Sequence, residues 1–247
     1  CMLQDSIAAV GLFPRLKVLA LEDLTDNVRV GRLDLAELEP LSALEQLHLR
    51  QWESVQLKSA AVLPQLSSLC ICSVGSTEID AALPSLKDLY VHGAETLRLR
   101  GPHLQLPQLS QLSLRTLRVA AVSWPALPQL ASLASFECRQ ITTGALSKLG
   151  RLTSLTVGWS RECWEAAGRV LHAAPPSVHH LCFDGYKNDW SQPPPLGRVT
   201  QLTSLRCNSP AIIPYLGHLA QLQQLELGQH SAADITMEHS GWLCGLS

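Results

Sequence analysis

The chain has 247 residues, 46% hydrophobic and only 5% aromatic, with a formal charge of −2 and a pI near 6.5. That balance excludes the basic footprint that nucleic-acid binding requires, and no run of about 18 apolar residues is present to cross a bilayer as a helix. The apolar content is carried by 47 leucines, so the interior must be built from similar branched side chains and not from a few large rings.

Those leucines follow a pattern. The nine residues Leu63-Pro64-Gln65-Leu66-Ser67-Ser68-Leu69-Cys70-Ile71 recur in ten edited copies: Phe13 to Leu21, Leu41 to Leu49, Leu63 to Ile71, Leu83 to Val91, Leu106 to Leu114, Leu127 to Ser135, Leu149 to Val157, Pro175 to Phe183, Val199 to Cys207 and Leu219 to Leu227. The third apolar position of each gives the series Leu19, Leu47, Leu69, Leu89, Leu112, Leu133, Leu155, Leu181, Leu205 and Leu225, with steps of 28, 22, 20, 23, 21, 22, 26, 24 and 20 residues. Each copy ends in an alternating pair such as Leu47-His48-Leu49. Alternation puts both leucines on one face of a short strand and the middle residue on the other. One such unit cannot enclose its own apolar face, so neighbours must stack.

A period of 20 to 29 residues with apolar positions three, three and two apart resembles the leucine-rich-repeat family, over nearly the whole chain. The resemblance implies an α/β fold class: a right-handed leucine-rich-repeat solenoid with a concave parallel β-sheet and a mostly irregular convex side carrying few helices. It also implies one domain over residues 1–247. The family commonly places Asn or Cys three residues after the second strand leucine, where the side chain binds backbone along the coil. Here those places hold Leu24, Trp52, Val74, Ala94, Leu117, Ser160, Tyr186, Pro210 and His230, so the turns are expected to be held by apolar packing. Position 1 is Cys and not an initiator Met, without a signal pattern after it, and the C-terminus stops without an evident capping repeat, so a piece of a longer protein is expected.

In chain order, Ser6 to Leu24 forms the first turn, and alternation over Asn27 to Leu35 predicts an extra short strand. From Trp52 to Leu117 the return segments (Val55-Gln56-Leu57, Ile79, Leu97-Arg98-Leu99-Arg100) read as extended. The sixth copy has two possible registers, Leu133-Ala134-Ser135 or, three residues later, Phe136-Glu137-Cys138 followed by Ile141. Arg161 to Ala174 carries Trp164, Ala167, Val170, Leu171 and Ala174 at helical spacing, and Pro175-Pro176 closes the run, which predicts a helix. Asn188 to Pro195 ends in three prolines and cannot be helical there; it reads as a rigid surface loop.

The outward strand positions supply the candidate site. They set His48 and Arg50 beside Cys70 and Cys72, then Tyr90 and His92, then Ser113 and Arg115, with Arg206 and Glu226 on the last turns. Tyr and Arg are the residue types that most often carry interface energy, so these positions read as a contact surface for a protein partner, against the plain alternative of a solvated face. Two cysteines with a histidine on each neighbouring strand also form a set that zinc accepts, although parallel strands hold the ligands in a plane. His179, His180, Cys182 and Asp184 invite a cysteine-nucleophile reading, which the strand rise of about 6.6 Å between Cys182 and His180 and the lack of an oxyanion-holding glycine turn weaken. The tryptophans make no base-stacking stripe, and no phosphate-cradling glycine motif occurs.

The eight cysteines show no end-cap clusters of the kind secreted relatives carry, and Asn27, Asn188 and Asn208 form no glycosylation site. Both favour a reducing, cytoplasmic compartment. The resulting expectation is a non-enzymatic scaffold without cofactor or metal, binding a protein partner but neither nucleic acid nor membrane. It is similar to the repeat regions of adaptors, ubiquitin-ligase substrate receptors and ciliary axoneme components. The alternatives are the recognition region of an immune or extracellular receptor and, third, an enzyme.

Overall fold

The computed structural model describes residues 13–22, 30–34, 38, 40–59, 63–72, 75–94, 96–101, 103–115, 119–122, 127–135, 146–158, 164–184, 195–207 and 210–227. The second halves of the ten copies form strands: β1 (Val18–Glu22), β3 (Gln46–Arg50), β5 (Ser68–Cys72), β7 (Asp88–His92), β9 (Gln111–Arg115), β11 (Ser132–Ser135), β12 (Ser154–Gly158), β13 (His180–Asp184), β14 (Ser204–Cys207) and β15 (Gln224–Leu227). They lie side by side in chain order as one parallel sheet. At about 4.8 Å per strand it is about 45 Å long. The fold is a leucine-rich-repeat solenoid, and its geometry follows from the copies themselves.

Each copy begins with a tight turn. The amide of the fourth residue donates to the carbonyl of the first, from Leu16 N to Phe13 O through Leu66 N to Leu63 O and on to Leu222 N to Leu219 O, at 2.9–3.3 Å in all ten copies. Proline at the second place, as in Pro64, Pro84 and Pro107, has its φ already set for that turn position and gives up an amide that is not needed there. The strand that follows buries every second residue. Leu19, Leu47, Leu69, Leu89, Leu112, Leu133, Leu155, Leu181, Leu205 and Leu225 stand opposite one another in register. All but Leu225 are buried, and they belong to a single core cluster in which Phe183 is the largest fully buried side chain. The sixth copy takes the earlier of its two registers, with Leu133 between Leu112 and Leu155.

A second ladder runs beside the leucine spine. Glu45 and Gln46 both donate their amides to Lys17 O, Ser67 and Ser68 both to Glu45 O, and the pairing repeats turn by turn to Gln223 and Gln224 on Thr203 O, at 2.7–3.1 Å. At four turns a hydroxyl adds a third donor to the same carbonyl: Ser67 to Glu45 O, Ser110 to Lys87 O, Thr153 to Ala131 O and Thr203 to His179 O, at 3.0–3.3 Å. Apolar packing is therefore not the only thing that ties turn to turn. Backbone amides, helped by hydroxyls, link each turn to the next through the carbonyl that precedes its strand.

The return segments divide the molecule. In the N-terminal half they are strands: β2 (Val30–Asp34), β4 (Trp52–Ser59), β6 (Ser76–Ala81), β8 (Thr96–Leu99) and β10 (Val119–Val122). The expected extended returns pair as a second parallel sheet in the order β10-β8-β6-β4-β2. Leu33, Val55, Leu57, Ile79, Leu97 and Leu99 bury their side chains between the two sheets. The close approach of successive turns leaves no room for a side chain at Gly75, where a Cβ would fall 1.6 Å from Glu53 O. Gly101, at φ +145°, turns the chain where Asp80 accepts the His103 amide at 2.8 Å.

In the C-terminal half the described parts of the returns are helical. α1 (Trp164–His172) sits inside the predicted Arg161–Ala174 span and buries Ala167, Val170 and Leu171. Glu165 in its first turn and Arg169 and His172 in its last suit the helix dipole, and Pro175-Pro176 ends it. Short 3₁₀ segments follow at Leu196–Arg198 and Pro210–His218. The Asn188–Pro194 stretch lies outside the described residues.

Candidate functional site

The exposed face of the long sheet carries three rows of side chains, because residues in register on parallel strands are stacked about 4.8 Å apart. The middle row runs Ala20, His48, Cys70, Tyr90, Ser113, Ala134, Thr156, Cys182, Arg206, Glu226, and a flanking row runs Glu22, Arg50, Cys72, His92, Arg115. The structure thus places His48, Arg50, Tyr90, His92 and Arg115 on β3, β7 and β9, three of the four adjacent strands β3, β5, β7 and β9. Arg115 is placed by its backbone register with His92; its side chain lies outside the described set. Arg206 and Glu226 stand apart, on β14 and β15.

Within the cluster the side chains engage one another across strands. Tyr90 Oη donates to Gln111 Oε1 at 3.2 Å, His92 Nε2 meets Ser113 Oγ at 3.3 Å, and Cys70 Sγ meets Cys72 Sγ at 3.9 Å along one strand. Partial burial sets the electrostatics. It lowers the pKa of His48 from the ordinary imidazole value. It raises that of Asp88, with Lys87 opposing, and that of Tyr90, where the charges of Asp88 and Cys70 add to the effect. At neutral pH, His48 and Tyr90 are uncharged donors and acceptors on a half-buried surface.

Further along, Arg206 Nε lies 3.5 Å from Glu226 Oε1, and Ser204 Oγ lies 3.4 Å from Gln224 Oε1. Arg206 and Glu226 therefore offset each other's charge. Between the two groups the middle row is small and neutral at Ala134 and Thr156. Asp88 and Gln111 complete the cluster although sequence reasoning did not single them out; the signal was available, since both precede an inward leucine by one position.

The zinc set is not assembled. Among the described residues no group of three or more His, Cys, Asp or Glu side chains is placed to hold a metal ion, and the His92 ring engages Ser113. His179 Nδ1 likewise lies 3.1 Å from the carbonyl of Gln201, which is a link between turns.

No protein-family model matches the sequence, and neither does any curated protein. Solved structures it is similar to include two internalins of Listeria monocytogenes. One, inlF, is 17% identical, with 92% of this chain and 68% of that chain covered at a TM-score of 0.47. The other, internalin C2 (inlC2), is 15% identical, with 94% and 78% covered at a TM-score of 0.30. At those values the fold assignment rests on the strand register described above.

Proposed function

We propose that the chain is a non-enzymatic scaffold that binds a protein partner on the exposed face of its long sheet, centred on β3 to β9. The observation that carries this reading is the placement of Tyr90, Arg50 and Arg115 with two histidines on β3, β7 and β9, within four adjacent strands. Aromatic and guanidinium groups held at fixed spacing lose little conformational entropy on contact. The pI near 6.5 supports a protein and not a nucleic acid as partner, and no helix among the described residues is long and apolar enough to cross a membrane.

Cys70, Cys72, Cys182 and Cys207 are thiols in this structure, in keeping with a reducing, cytoplasmic setting. An adaptor, a substrate receptor and an axonemal component would all use such a face and differ in the modules attached to it. The test is affinity capture from a native lysate with the wild type, the Tyr90→Ala/Arg115→Ala variant and a Ser154→Ala/Thr156→Ala control. The reading predicts proteins retained by wild type and control and reduced at least tenfold by the first variant. Equal retention by all three would count against it.

A further inference from the structure

We propose that Cys70 and Cys72 form a two-thiolate site for a soft monovalent cation of the Cu(I) class. The two residues occupy alternate positions of β5 on the exposed face, so the strand rise alone separates them by about 6.6 Å. Their sulfurs nevertheless lie 3.9 Å apart, because the side chains lean toward each other. Two metal–sulfur bonds, at about the 2.3 Å of a zinc–thiolate bond, are long enough to span that gap. Both side chains are half-exposed, so an ion reaches them without opening the fold. β5 is paired on both sides, by β3 and β7, so the strand that carries both thiols is held in place before the ion arrives.

The surroundings select the class of cation. Soft thiolate ligands favour Cu(I), whereas zinc and iron–sulfur clusters take four ligands, and no third His, Cys, Asp or Glu among the described residues completes a set with the pair. The groups in register on either side are His48 and Arg50 of β3 and Tyr90 and His92 of β7, and none of them is a carboxylate. Two thiolates and a monovalent cation make a complex of charge −1, which Arg50, opposite Cys72, is placed to offset. On binding, two S–H bonds break, two metal–sulfur bonds form and two protons leave to solvent, with no electron transferred.

The test titrates Cu(I) anaerobically into the reduced full chain against bicinchoninate, whose colour reports the Cu(I) that the protein does not hold. One equivalent retained by the wild type and by Cys182→Ser/Cys207→Ser, but held at least tenfold more weakly by Cys70→Ser/Cys72→Ser, is the expected result. Equal retention by Cys70→Ser/Cys72→Ser would overturn the assignment. So would a stoichiometric zinc ion lost on His48→Ala/His92→Ala, since it would mean a four-ligand site. A measurement on the wild type alone does not depend on any variant folding. With one equivalent of Cu(I), alkylation of Cys70 and Cys72 by iodoacetamide, mapped by peptide mass, slows at least tenfold while that of Cys182 does not. Unchanged alkylation of Cys70 and Cys72 would sink the proposal.

Discussion

The two halves of the coil solve the same problem with different return segments. From β3 to β9 the returns are strands and the spine leucines Leu47, Leu69, Leu89 and Leu112 are 22, 20 and 23 residues apart. The turn from Leu155 to Leu181 takes 26 residues and holds α1. An extended residue advances about 3.3 Å and a helical one about 1.5 Å, so a helical return needs more residues to cross the same width. Repeat length alone does not report which kind of back a turn has: the 28-residue step from Leu19 to Leu47 holds β2, and the 20-residue step from Leu205 to Leu225 holds the Pro210–His218 3₁₀ segment. The half with two hydrogen-bonded sheets is also the half that carries the clustered histidines, tyrosine and arginines.

This contrast yields effects of decreasing size. Leu89→Ala empties a fully buried spine position and should cost about 3–4 kcal/mol. The same change at Leu225, 42% exposed on the last described strand, should cost about 1 kcal/mol or less; urea unfolding at fixed pH compares them. Gly75→Ala forces a methyl against Glu53 O and should cost about 2–3 kcal/mol. Its loss of hydrogen-exchange protection should be confined to β3 to β8 and spare β13 to β15, because stability in a stacked array is largely nearest-neighbour. Gly168→Ala acts in the other half and with the other sign. Its added methyl meets only Pro195 side-chain atoms at 3.8–3.9 Å, so α1 should gain about 0.5–1 kcal/mol, read as a higher melting temperature.

The smallest effect is the pH dependence at His48. Burial lowers its pKa in the fold, so the unfolded chain binds the proton more readily. The stability involved is complete above the ordinary imidazole value near 6.5 and is lost as pH falls through it toward the lower folded value. The fall in melting temperature between pH 7.5 and 5.5 should be smaller in His48→Gln than in the wild type.

Much of this architecture was legible because the period-two leucines leave one way to form a shared interior. The pairs Val55/Leu57 and Leu97/Leu99 likewise announced extended returns, and Trp164 to Ala174 announced α1. Three things were not legible. Leu133 and Phe136 both satisfy alternation, and the choice between them is made by register with Leu112 and Leu155. The serines and threonines that bond carbonyls of the turn before sit at the fifth position of each copy, where Lys17, Glu45 and Ala131 also occur, so no motif marks them. For the site, alternation gave the face, but whether Arg206 stands toward a partner or toward Glu226 is decided by side-chain geometry.

The most direct test is a set of distances along the sheet. Spin labels on introduced ketone amino acids, which spare the native cysteines, would be placed in pairs at Gln46 and Gln111, Gln46 and Ser154, and Gln46 and Gln224. These positions are three, five and eight strands apart in one row. At about 4.8 Å per strand, the distances should rise in order to about 14, 24 and 38 Å, less any shortening of the last by curvature. Distances that fail to rise with strand number, as in a closed globule with several cores, would contradict the stacked-turn account and the exposed face drawn from it.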